Sequence, residues 1–187
     1  GDGLSLVYNA DHDINIKNQG KRRVTSAVES ITDSRKTEGE ALTTTYVAGN
    51  SINIENYAQG LIMYTAPNSS KLQSRINLYS NKVDISNTEN AVKVEGKLNK
   101  LTIDDYEAYN VEQEFIRNNT NDISADKTAV YAGTGGIAEI NGAFNTLQST
   151  RYRTIQASGG DGDVNSQINI NGGIEIINRY ASIGLKT

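Results

Sequence analysis

His12 is the only histidine in this chain of 187 residues, and there is no cysteine. Nucleophilic catalysis by serine or cysteine needs a base held beside the nucleophile and a third group to orient that base. Nothing near His12 supplies those parts. It stands between Asp11 and Asp13, in a polar stretch that reads as a surface turn ahead of Ile14. The acid and base groups present in quantity are the carboxylates, 22 Asp and Glu in all. A glycan-cleaving site would array them on one exposed strand face, often with Arg or Lys, so that one donates a proton and another accepts it. Asp84, Glu95, Asp104, Asp105, Glu139 and Glu175 are the candidates. The repeat described below scatters them over different sides, so the expectation is no catalytic residue and no enzyme.

The loop Gly159-Gly160-Asp161-Gly162-Asp163 is similar to the Gly and Asp rich nonapeptide that holds calcium, since hard oxygen ligands on a flexible turn suit that ion. It occurs once, and no second copy would stack beneath it. The reading is a turn with no metal and no cofactor, with Asp161 and Asp163 as its calcium candidates. Tyr is the remaining chemical resource, ten against two Phe and no Trp. A phenol ring is an apolar plate with a polar tip and can stack on sugar or protein. Tyr8, Tyr64, Tyr79, Tyr131 and Tyr152 are placed to do so, although β propensity alone also favours Tyr on strands.

What must position these residues is a repeat. Leu6-Val7-Tyr8, Ala27-Val28-Glu29, Leu61-Ile62-Met63, Ala91-Val92-Lys93, Ala129-Val130-Tyr131, Thr154-Ile155-Gln156 and Ser182-Ile183-Gly184 read alike. A second pattern of apolar, polar, apolar, usually with Asn in the middle, follows most of them, as in Ile14-Asn15-Ile16, Ile52-Asn53-Ile54, Ile76-Asn77-Leu78, Leu101-Thr102-Ile103 and Ile168-Asn169-Ile170. Spacings of roughly 20 to 40 residues suit a unit that cannot bury its own apolar face and must stack on copies of itself. In the clearest unit, Ala129 to Ala132, Ile137 to Ile140 and Phe144 to Leu147 form three strands, separated by a Gly-rich turn and by Asn141-Gly142. Alternation of period two turns the Ile and Val of each strand one way and the polar residues the other. The expected fold is all-β, a three-sided parallel β-solenoid of about six to seven rungs with loop insertions, in which residues 1–187 form a single segment.

Two stretches depart from the repeat, near residues 30–45 and 106–127. The second carries Tyr106, Tyr109, Phe115 and Arg117. Ala108, Val111 and Phe115 at helical spacing would give one short amphipathic helix; the alternative is an extended excursion with strands of its own. In solenoids such projections usually carry function, so those four residues are the binding candidates, and the repeat turns are structural.

Composition narrows the partners. A formal charge of −4 and a pI near 5.1 leave no excess of cations to neutralise phosphates, which argues against nucleic acid. No apolar run approaches the roughly 20 residues of a membrane helix, so no membrane insertion by this segment is expected. Gly1 in place of an initiating Met, with no charged-then-apolar leader, leads to the expectation of a piece of something longer.

Taken together, Ala129-Val130-Tyr131-Ala132, the Gly-rich turn after it and Ile168-Asn169-Ile170-Asn171-Gly172, on a Cys-free background rich in Asn, Ser, Thr and Gly, resemble the β-helical passenger regions of type V autotransporters and related large bacterial surface adhesins. The resemblance covers nearly all of the chain and rests on repeat texture. It implies a right-handed parallel β-helix, secretion to the Gram-negative cell surface, and roles in adhesion, aggregation, biofilm or virulence. The partner would be a host-cell or bacterial surface protein or glycan, with self-association possible. Two alternatives stand beside it: a β-helix polysaccharide lyase or hydrolase, or a glycan-binding protein built like a phage tail spike; and a β-helical toxin passenger.

Overall fold

The computed structural model describes residues 5–18, 26–32, 42–56, 59–65, 73–87, 89–97, 99–111, 113–161, 164–178 and 181–186. Its strands, in chain order, begin with β1 (Ser5–Ala10), β2 (Asp13–Asn18), β3 (Ser26–Thr32), β4 (Thr43–Asn56), β5 (Gln59–Thr65) and β6 (Arg75–Asn87). They continue with β7 (Val92–Glu95), β8 (Lys100–Asp104), a 3-10 turn at Tyr106–Tyr109, β9 (Thr120–Ala125), β10 (Val130–Gly133) and β11 (Ile137–Ser149). The last are β12 (Arg153–Ser158), β13 (Gly160–Asp161), β14 (Val164–Asn165), β15 (Gln167–Asn178) and β16 (Ala181–Lys186).

Two parallel sheets hold nearly all of them. The first runs β1-β4-β6-β8-β11-β15, with β2 beside β4 and with β9 joining β6 to β11. The second runs β3-β5-β7-β10-β12-β16. Both visit their strands in chain order, so each passage of the chain lays its strands on those of the passage before, a β-solenoid-like arrangement. The all-β, parallel expectation therefore holds. β13 and β14 form a small antiparallel hairpin on their own.

Period-two alternation explains why these residues make these ladders. In β6, Ile76, Leu78, Ser80, Val83 and Ile85 are buried, while Asn77, Tyr79 and Asp84 between them face outward. Register then stacks like on like. Ile140 lies between Ile103 and Ile170, Val130 between Val92 and Ile155, and Ile54 between Ile16 and Ile85. Neighbouring strands are about 4.8 Å apart, so these side chains form continuous apolar columns. Ten of the largest, from Ile52 to Leu147, are almost wholly removed from water. Each fully buried Ile or Leu is worth roughly 1.5–3 kcal/mol relative to exposure.

The long strands bend at corners. Pairing of β4 with β6 shifts between Ala48 and Ser51, and pairing of β11 with β15 shifts between Asn141 and Phe144. At the second corner Gly172 has φ 104°, and a Cβ there would strike the carbonyl oxygen of Gly142. The Asn of the Asn-Gly corner does another job. Asn171 donates through Nδ2 to Oδ1 of Asn141 at 2.7 Å, and Asn145 donates to the carbonyl oxygens of Asn171 and Gly173 at 3.0 and 3.2 Å. Asn therefore ties successive tiers together and Gly takes the left-handed backbone.

Four expectations need correction. Val7 does not belong with the other repeat residues: β1 lies in the first sheet, where Val7 pairs with Thr45. The partner of Val28 is Leu61, one position before Ile62. The apolar-polar-apolar pattern splits between the two arms of the first sheet, since Ile14 and Ile52 share one ladder while Ile76, Leu101 and Ile168 share the other. Finally, residues 106–127 are not one insertion, because β9 at Thr120–Ala125 is a ladder strand paired on both sides. The excursion closes before it, and its described residues hold one 3-10 turn in place of an amphipathic helix. Of the other expected insertion, residues 33–41 lie outside the described residues, and Ser30–Thr32 and Thr43–Thr45 at its ends belong to β3 and β4.

Candidate functional site

Two places on the outer surface gather chemistry. The first is the excursion after β8. Asp105 starts its turn: its side chain accepts from the amide of Glu107 at 3.0 Å, and its other oxygen accepts from the amides of Asn118 and Asn119 at 2.7 and 3.0 Å. One carboxylate thus closes both ends of the loop. Asp104, also buried, takes two parallel bonds from Arg117, at 2.6 Å from Nε and 3.0 Å from Nη2. It also accepts from Nδ2 of Asn141 at 3.0 Å. The hydrogen bond to Asp104, only partly opposed by desolvation, pushes the Arg117 pKa above its ordinary value.

This anchoring folds the loop back on the sheet. The 3-10 turn packs on β4 and β6, which accounts for Val47, an outward-facing residue of β4 that is nevertheless 1% exposed. The Tyr109 ring lies 5.5 Å from that of Tyr79, tilted by 47°. Burial, then the charges of Asp104 and Glu139, push the Tyr79 phenol up. Glu139 pairs with Lys100 and accepts from Asn141 at 3.2 Å. Burial opposes its ionisation, yet the bonds from Lys100 and Asn141 outweigh it and hold the carboxyl below its usual value.

The four binding candidates therefore divide. Arg117 spends its guanidinium on Asp104 and stacks on Phe115, 5.2 Å from the ring centre. Tyr106 and Phe115 are half-buried. Tyr109 is exposed, and with it Val111 and Ile116, the last at 86%. Asp104, Asp105 and Glu139 are brought together, contrary to the scattering expected. All three are occupied by hydrogen bonds or ion pairs within the loop's own anchoring network.

The second place lies on the outer face of the second sheet. Tyr131 of β10 faces out between Lys93 of β7 and Gln156 of β12. Gly133, two residues on, has no side chain, and the Tyr131 ring leans along the strand into the space: a Cβ at Gly133 would lie 2.6 Å from its hydroxyl oxygen and 2.9 Å from Cε1. The hydroxyl is held by Ser158 Oγ at 2.8 Å. Tyr152, 41% exposed, stands at the rim with Arg153 over its ring at 5.2 Å. Between the two rings is an open groove of about 250 Å³, whose walls also include Asn90, Glu95, Lys127 and Thr128. Lys93 lies 2.8 Å from Glu95 and 5.8 Å from the centre of the Tyr131 ring, and Lys127 pairs with Glu89.

The remaining candidates lie apart. His12 is exposed in the turn between β1 and β2, where its carbonyl accepts from the amide of Asn50 at 2.8 Å. Asp161 ends β13; Asp163 lies outside the described residues. Among the described residues, no group of three His, Cys, Asp or Glu is placed to hold a metal ion, and no helix is long and apolar enough to cross a membrane. Tyr64 is on β5, Tyr8 stacks on Tyr46 with ring centres 5.0 Å apart, and Glu175 is on β15. The grouping of Tyr131 with Tyr152 had one faint sequence signal, the Tyr-x-Gly spacing that frees room for a ring. No known family, curated protein or solved structure matches the chain.

Proposed function

We propose that this chain is a non-enzymatic segment of a bacterial cell-surface adhesin, similar to an autotransporter passenger, in which right-handed β-helical coils form a rigid rod and the outer surface binds host cells, other bacteria or biofilm matrix. The observation that carries this reading is the anchored loop. Two buried carboxylates hold the loop in one shape, and the surface it presents exposes Tyr109, Val111 and Ile116. Exposed apolar side chains on a rigid support suit a protein partner.

The test is adhesion of the purified rod to epithelial cells and to bacterial cells. Its main variant carries Tyr109→Ser, Val111→Ser and Ile116→Glu together, which removes the exposed side chains, the Tyr109 ring beside Tyr79 among them, and spares the bonds to Asp104 and Asp105. A companion variant replaces residues 106–118 with a short Gly-containing turn and carries both Asp104→Asn and Asp105→Asn, so that neither buried carboxylate is left charged without its donors. With far-ultraviolet spectra unchanged, adhesion should fall at least severalfold in both. Full adhesion by both variants would remove the loop from the reading, and no adhesion by the parent rod would remove the reading itself.

A second reading, a glycan-cleaving β-helix, is favoured by one pair. Asp84 of β6 and Asp122 of β9 are direct register partners on the outer face, and burial followed by repulsion from Asp122 pushes the Asp84 pKa up. A carboxyl group whose pKa is raised, set beside a second carboxyl group, is what an acid role in glycan cleavage requires. A panel of acidic and neutral polysaccharides assayed for reducing ends or unsaturated products decides it, and the absence of turnover across the panel would reject it.

A further inference from the structure

We infer that the groove between Tyr131 and Tyr152 is a binding site for a neutral oligosaccharide, with the Tyr131 ring as the stacking platform. The inference rests on the adhesin reading and adds a ligand class on a different face of the rod from the loop.

The groove is built for a ring-shaped guest. A Tyr side chain standing upright on a sheet offers only its edge; this one is laid over the empty position at Gly133 and pinned by Ser158. Such a ring keeps little freedom to lose on binding, which is the main saving that preorganisation makes. The Lys93 ammonium lies over the ring, 5.8 Å from its centre, drawn by the electron-rich face of the phenol. The weakly positive C–H bonds of a pyranose are attracted to the same face for the same reason.

The lining chooses among ligands. Among the described residues that line it there is no Leu, Ile, Val, Met or Phe, whereas the centre of a protein-binding patch is depleted of charge and rich in apolar groups. Amide, hydroxyl and carboxylate groups from Asn90, Thr128, Gln156 and Glu95 surround the two rings, offering both donors and acceptors to a polyhydroxylated guest. The cations at the groove are balanced locally, Lys93 by Glu95 and Lys127 by Glu89. With the chain at −4 overall, a polyanionic glycan gains nothing from long-range attraction. A neutral sugar meets no such cost. Lining residues come from strands β7, β10 and β12, so the groove crosses neighbouring tiers and extends roughly 10 Å along the stack, enough for a short oligosaccharide and more than one ring needs.

The experiment screens the intact chain on an array of neutral and acidic oligosaccharides, then measures the best neutral ligand by calorimetry against Tyr131→Ala, Gly133→Ala and Tyr131→Phe. Gly133→Ala keeps Tyr131 but drives its ring off the sheet; the backbone there needs no left-handed angle, so the fold survives. Tyr131→Ala and Gly133→Ala should each weaken binding roughly tenfold or more, the worth of one aromatic stacking contact. Tyr131→Phe, which keeps the plate, should cost less. A blank array, binding restricted to acidic glycans, or full affinity in Tyr131→Ala overturns the proposal. If the array is blank while the rod still adheres to cells, only the groove assignment fails; if adhesion is also lacking, the adhesin reading fails with it.

Discussion

Replacing Arg117 with Met tests whether the loop after β8 is held by its ion pair or merely rests on the sheet. Asp104 is 6% exposed and accepts four bonds: two from Arg117, one from Asn141 and one from the amide of Asp105 at 2.8 Å. Methionine keeps most of the aliphatic stem that packs on Phe115 but strips the charge, leaving a buried carboxylate with two neutral donors. Breaking a fully buried pair from one side costs about 3–5 kcal/mol. The Arg117 side chain is 37% exposed, however, so water can follow it out and solvate part of the deficit. About 2 kcal/mol is then the expected loss, near the value of a single charged hydrogen bond. The reverse change, Asp104→Asn, leaves Arg117 partly solvated and should cost less, about 1 kcal/mol. Because stacked repeats open in sections, native-state hydrogen exchange is the suitable assay, read at the amides of Asn118 and Asn119, which bond to Asp105 at the loop's closure. Both should exchange roughly thirtyfold faster in Arg117→Met, the factor that 2 kcal/mol implies, while the amides of β4 and β15 stay as they were. An effect below about 0.5 kcal/mol would mean the loop is held by its apolar contacts, and the account of the anchor would be wrong.

Three further outcomes follow from the same structure. Ile140→Ala, in the middle of its column and fully buried, should lose about 2–5 kcal/mol, whereas Ile183→Ala, at the end of its column and 61% exposed, should lose less than about 1 kcal/mol; equal losses by urea unfolding would contradict the column picture. Gly172→Ala must both hold a left-handed backbone and push past Gly142, at a cost of about 2–4 kcal/mol, while Gly159→Ala, also left-handed but with open space around it, should cost about 1 kcal/mol; thermal melts of the pair check the difference. Asp84 has a folded pKa above its ordinary 3.8, so its favourable form is the protonated one, present at low pH and lost as pH rises through the raised value. Asp84→Asn should therefore be more stable than the parent at pH 7, by less than about 1 kcal/mol at so exposed a site, with the gap narrowing on acidification. A parent more stable at pH 7 would reverse the sign and sink the argument.

The core columns were legible because alternation of period two survives in any strand that buries one face. Ile137 to Ile140 and Phe144 to Leu147 could be placed, with their corner, from residue order alone. The face each strand occupies was not legible. An apolar-x-apolar triplet fits either arm of the first sheet or the second sheet equally, and only the register of the following passage decides, so Leu6-Val7-Tyr8 was misplaced. β9 was hidden for a different reason. Its inward positions begin with Asn121, which is buried and bonded to the carbonyl of Asn141 and to Oδ1 of Asn145 at 3.0 and 2.7 Å. With Asn at its first inward position the strand has only Ile123 and Ala125 left to show apolar alternation, and the cost of burying Asn is offset by partners from later tiers that sequence spacing does not reveal. The loop's binding candidates suffered likewise: Arg117 looked free until Asp104, thirteen positions away, was found beneath it.

Inward and outward positions obey different constraints, and this is why function belongs outside. Every inward residue must match the shape of the tiers above and below, as Ile140 matches Ile103 and Ile170, so the columns have no latitude to recognise a ligand. Outward residues inherit the same spacing without the packing demand. Register therefore sets Lys93, Tyr131 and Gln156 side by side at the pitch of the strands, an array whose chemistry can vary while the rod stays fixed. The loop uses the other freedom, leaving the ladder after Asp104 and rejoining it at Thr120. Its anchor reaches the ladder through outward Asp104 and Asn141, so the loop can be altered at its tip without touching a single core column. The groove and the loop tip stand on different sheets and share no residue, which makes them separable surfaces on one support.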